Sequence, residues 1–131
     1  MASQAAINGI VQYGRRWKLT ISITIPQNIP ALFAACKTSK DTVLLGHQIT
    51  ENLLKSLNRI KRSRLESISP DTYTWLEDFK EDMRELFILD DPTAEQDFDL
   101  NAEGLEEELL SQLDELYNWA DFNRILINRH G

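Results

Sequence analysis

The 131-residue sequence predicts a mostly α domain of the α+β class, a bundle of three to four helices with a small N-terminal β element. Three observations carry that expectation: one cleanly alternating stretch, three long stripes of apolar residues at helical spacing, and cap signals placed between them. The alternating stretch is WKLTISITI, residues 17–25. Trp17, Leu19, Ile21, Ile23 and Ile25 share one face, and Lys18, Thr20, Ser22 and Thr24 share the other. A period of two with β-branched residues is the pattern of a half-buried strand. Ile7, Ile10, Val11 and Tyr13 suggest an earlier strand, with Gly14 at the turn. A two-stranded ribbon is marginal alone and must lie on the helices or pair with another chain.

Pro26 and Pro30 end the strand, and PALFAAC reads as a short helix starting at a proline. Over about residues 41–65, Ile49, Leu53, Leu57 and Ile60 recur at steps of four, four and three, with Leu54 beside them. That is an amphipathic helix. Gly46 weakens its early part, and Thr50 offers a second cap. Ser69-Pro70 combines a capping hydroxyl with a favoured first helical residue. Leu76, Phe79, Met83 and Leu86 form the stripe that follows, with Tyr73, Trp75 and Phe87 at its margins, and this helix should end near Asp90. Asp91-Pro92 repeats the cap signal for a short turn of helix over residues 93–98. Leu105, Leu109, Leu113, Leu116 and Ala120 mark a last helix that starts near Asn101. Residues 123–131 read as a final turn, or as a strand through Ile125 and Ile127.

A chain of this length is one domain, residues 1–131, able to bury about two-thirds of its unfolded surface. Residues 1–8 and 90–100 are expected to be less ordered. Cys36 is the only cysteine, which leaves no disulfide framework and no multi-cysteine metal site. With no secretory signal and no apolar run of membrane-spanning length, the expectation is a cytoplasmic protein.

The net charge of −7 conceals a strong polarity. Residues 1–65 carry ten basic side chains against two acidic ones, and residues 66–131 carry four basic against nineteen acidic. The stretch DDPTAEQDFDLNAEGLEEELL, residues 90–110, holds nine carboxylates and no cation. Set against a helix–loop–helix calcium loop, Asp97, Asp99, Asn101, Glu103 and Glu108 fall at ligand positions 1, 3, 5, 7 and 12. Ala102 occupies the position that requires glycine, and the preceding helix ends too early. These five residues are therefore candidates for a non-standard calcium or magnesium site. Their alternative role is to cap helices and to suit helix dipoles.

Lys55, Arg59 and Arg62 recur at steps of four and three, flanked by Lys61 and Arg64. Such a basic stripe suits phosphate, although the acidic half of the chain opposes nucleic-acid binding. Catalysis has little support. His47 and His130 are the only histidines, no motif orients a Cys36–His47 pair, and the five glycines form no phosphate-cradling loop. Trp75, Tyr117, Trp119 and Phe122 lie beside the helical stripes, where tryptophan and tyrosine supply large contact area with a polar handle. The leading expectation is a small, non-catalytic regulatory or adaptor protein that binds another protein or its own copy as a homodimer. A calcium-binding protein is the alternative, and a weak nucleic-acid binder the third.

Overall fold

The computed structural model describes residues 16–131. The order is β1 (Leu19–Thr24), α1 (Ile29–Ala34), α2 (Ser39–Leu57), α3 (Arg62–Glu66), α4 (Pro70–Phe87), α5 (Phe98–Ala102), α6 (Leu105–Phe122) and β2 (Ile125–His130). The mostly α, α+β class expected from the sequence is the one observed. The strand suggested at Ile7 to Tyr13, and residues 1–8, lie outside the described residues.

β1 alternates as its sequence does, with Leu19, Ile21 and Ile23 buried and Thr20 and Ser22 exposed. Trp17 stands before the strand and is 46% exposed, so it does not continue the buried face. The partner of β1 is the last strand of the chain. The two run parallel, in the register Leu19↔Ile125 through Thr24↔His130. A parallel pair needs a crossover, and here the crossover comprises all six helices.

Side-chain caps set most helix starts. Asn28, Thr38 and Ser69 each accept a backbone N–H from the first turn of α1, α2 and α4. Thr50 does not restart α2; it lies fully buried within one continuous helix. That helix stops at Leu57, and the chain turns before α3, so the single helix expected to residue 65 is two. The buried stripe of α4 runs Leu76, Phe79, Met83, Phe87, leaving Leu86 exposed. Pro92 starts no helix: residues 88–97 are turn and coil, and Asp97 caps α5 instead. Gly104 opens α6 at φ 69°, a left-handed conformation that costs a residue with a Cβ about 1–2 kcal/mol.

α2 is the central element, packed against β1, α4, α5 and α6. Ile23, Ile25, Leu53, Leu57, Leu76, Met83, Leu109, Leu116 and Ile125 form the fully buried centre. Lys80 of α4 is only 8% exposed. Its Nζ donates to Asn58 Oδ1 at 3.2 Å and pairs with Glu77, which ties α4 to the end of α2 without leaving a buried charge alone.

One polar joint fixes the entry into β2. Thr72 Oγ1, buried at the start of α4, donates to Asn123 Oδ1 at 2.8 Å, and Asn123 Nδ2 donates to the Trp119 carbonyl at 2.9 Å. The next residue, Arg124, takes φ 58°, and the chain turns into the strand. Thr72→Val keeps the side-chain volume but strips the hydrogen from the Asn123 carbonyl. It is expected to cost about 1–3 kcal/mol in denaturant unfolding. A loss below about 0.5 kcal/mol, the level of an ordinary surface change, would contradict the role assigned to this joint.

Candidate protein-interaction surface

The acidic segment forms no metal centre. Among the described residues, no three histidine, cysteine, aspartate or glutamate side chains come together as a ligand set. The expectation of a calcium or magnesium site over Asp97, Asp99, Asn101, Glu103 and Glu108 is thereby corrected, and the divalent cation is withdrawn as a cofactor or partner. The reason is local. Asp97 Oδ1 accepts the Leu100 N–H at 3.1 Å as the cap of α5. Asn101 turns its amide to Gln96 Oε1 at 2.8 Å. Glu108 lies beyond the Gly104 turn on α6 and accepts from Gln112. Asp97, Asp99 and Glu103 line an open depression of about 700 Å³, far larger than an ion's coordination sphere. Asp91 is likewise engaged: hydrogen bonds from the Thr93 hydroxyl and N–H hold its carboxyl below the usual carboxylate range.

The four aromatic candidates divide three to one. Trp75 of α4 stacks on Phe79 and on Trp119 of α6, with both ring pairs 5.2 Å apart and 11° from parallel. Trp119 is 6% exposed, so it belongs to the core and not to its margin. Phe122, one turn onward, is 87% exposed. Trp75, Glu115, Asn118, Trp119, Phe122 and Asn123 line a groove of about 450 Å³ between the two helices. The Trp75–Trp119 stack forms the floor of that groove, and the Thr72–Asn123 joint lies at its end.

Tyr117 is elsewhere, beneath β2, with the Arg129 guanidinium 5.7 Å from its ring. Among the described residues its buried hydroxyl has no hydrogen-bond partner, and neither has the Trp119 indole nitrogen.

The basic stripe is broken by the end of α2. Arg62 opens α3, lies 4.4 Å from the Tyr73 ring and pairs with Glu66 at 3.1 Å. Arg59 instead joins Lys61 and Arg64 at a cleft of about 300 Å³ beside β1. Lys55 is exposed on α2 and is not among the residues that line this cleft. The periodicity of three and four assumed one helix, and the turn after Leu57 regroups the cations. The signal that could have found the regrouping is the NRIKRS run itself, which lacks the apolar spacing to extend the α2 stripe past Ile60.

His47 and Cys36 form no catalytic pair in the contacts they make. His47 Nδ1 accepts the Leu89 N–H at 3.0 Å, and the Cys36 thiol contacts the Leu32 carbonyl. Among the described residues no helix is long and apolar enough to cross a membrane. Comparison with protein-family models, curated proteins and solved structures gives no match to this chain.

Burial pushes the Tyr117 phenol above its ordinary value; Arg129 opposes the shift and Asp114 adds to it. A raised value in the folded state means that the stability contributed is complete below about pH 10 and is lost as pH rises through the folded value. Tyr117→Phe removes both the titration and the unpaired hydroxyl. The variant is expected to match or exceed the parent at pH 7 and to lose less stability between pH 10 and 11, read by urea unfolding at each pH. A variant clearly weaker at neutral pH would show that the hydroxyl has a partner after all.

Proposed function

We propose that this chain is a non-catalytic, cytoplasmic regulatory or adaptor protein that acts by binding another protein through the groove between α4 and α6. The observation that carries this reading is the placement of Phe122. A phenylalanine that is 87% exposed, at the rim of a groove floored by stacked tryptophans, leaves apolar surface in water that a partner side chain would cover. Aromatic anchors in desolvated pockets dominate protein–protein binding energies. Glu115, Asn118 and Asn123 supply the polar rim that such an interface needs.

The charge layout supports binding by steered encounter. The described ion pairs join residues three or four apart on one helix or turn. Of these pairs only Arg62–Glu66, at the boundary itself, joins the basic half to the acidic half. The cations gathered at Arg59, Lys61 and Arg64 are able to orient a partner of opposite sign.

Phe122→Glu is expected to change unfolding free energy by no more than about 0.5 kcal/mol. It is also expected to weaken capture of proteins by the purified chain at least about tenfold. Sedimentation at low and high salt separates a foreign partner from a second copy. A chain that is monomeric at all salts, and that captures the same proteins with and without Phe122, would overturn the proposal.

A further inference from the structure

The two-stranded sheet has an outer edge on β1 that is only partly closed. In a parallel ladder the N–H and C=O of one residue point to the same side, and the side alternates along the strand. Ile25 N–H donates to the His130 carbonyl of β2 at 2.8 Å. Thr24 N–H points the other way and donates to Ser56 Oγ of α2 at 2.9 Å. At the other end Lys18, in the bend before the strand, donates its N–H to the Arg124 carbonyl at 2.7 Å, so the alternation is taken from the Thr24–Ile25 end, within the strand itself. Thr20 and Ser22, in step with Thr24, then direct their backbone groups to that same outer side. Among the described residues nothing takes the place of Ser56 for them.

The basic cleft lies along this open stretch. Its walls are β1 on one side and, on the other, Ser56, Ile60 and the cations Arg59, Lys61 and Arg64. Among the described residues, these three cations have no ion-pair partner. The cleft therefore offers three things together: unpaired strand hydrogen-bonding groups, an apolar side formed with Leu19, Ile21 and Ile60, and three uncompensated positive charges. Ser56 closes the far end at Thr24.

We propose that this edge of β1 binds an extended peptide segment of another protein that alternates apolar and acidic residues, adding it as a third strand. Main-chain bonds to Thr20 and Ser22 give the register. Alternate side chains then face the apolar side of the cleft and the basic turn after α2, the usual division of labour in strand addition. A third strand also supplies what a two-stranded sheet lacks on its own. Carboxylates are favoured over neutral side chains because Arg59, Lys61 and Arg64 otherwise remain unpaired. A second copy docking β1 against β1 would bring these cations together and is disfavoured by the same charges. This site is separate from the α4–α6 groove, and its test does not depend on that groove.

The test uses the full chain and a labelled peptide of alternating valine and glutamate, about eight residues long. Binding is followed by fluorescence anisotropy and by amide NMR shifts. Saturable binding is expected, with shifts centred on Thr20 and Ser22. The paired change Arg59→Glu with Arg64→Glu is expected to weaken it at least about tenfold, and Arg59→Lys with Arg64→Lys to retain most of it. N-methylation of alternate peptide nitrogens is expected to weaken it by a similar factor if those nitrogens face β1, and not in the other phase. Phe122→Glu leaves it unchanged, so a failure here and a failure of the α4–α6 groove are told apart. Equal binding of both methylated phases, equal binding by the charge-reversed chain, or tighter binding of a single-stranded oligonucleotide of matched charge would each overturn the proposal.

Discussion

The parallel pairing of β1 with β2 is the constraint on which the rest of the structure depends. It joins the two ends of the described chain, and every helix must fit within the crossover between them. Two strands alone are marginal, so this pair draws its stability from what covers it. Ile21, Ile23, Ile25 and Ile125 are buried in the same core as Leu53 and Leu57 of α2. The helices in turn are held by the turn into β2, where Thr72, Asn123 and Trp119 connect the start of α4 to the end of α6. Sheet and bundle share one buried core. The aromatic groove and the basic cleft sit at two of its seams.

Local signals in the sequence were legible because local physics sets them. The alternation in LTISIT, the cap at Ser69-Pro70 and the leucine stripe of α6 each need only neighbouring residues, and each is found as read. The partner of β1 was not legible, because the pairing spans nearly the whole chain and ILINRH alternates only in part. The end of α2 at Leu57 was hidden by cations that keep helical spacing through a turn. Asp91-Pro92 carries the same cap signal as Ser69-Pro70, yet no apolar stripe follows it to make a helix worth burying. Asp97, read as the first ligand of a metal loop, is a helix cap. A spacing of oxygens cannot tell these roles apart, because a helix start and a cation loop both want aspartate.

The charge asymmetry has a structural meaning that the totals conceal. Carboxylates of residues 90–121 are spread over α5, α6 and the coil before them, where several cap helix ends or accept local hydrogen bonds. The cations of the first half gather in part at one place, the turn after α2, against the outer side of β1. In an overall acidic protein such a cleft is a local positive field, the kind that would orient an acidic segment in the proposed strand addition. The aromatic groove is of the opposite kind, with contact area and little charge.

The most direct measurement is amide hydrogen exchange along β1 in the free protein. Pairing on one side only requires the Ile21, Ile23 and Ile25 amides to exchange slowly, with the stability of the whole domain, because they face β2. Thr20 and Ser22 amides are expected to exchange fast, and Thr24 to be intermediate under the cover of Ser56. Equal protection of odd and even residues would mean that a third strand already occupies the edge. Fast exchange throughout would mean that β1 and β2 do not pair, and either result contradicts the account.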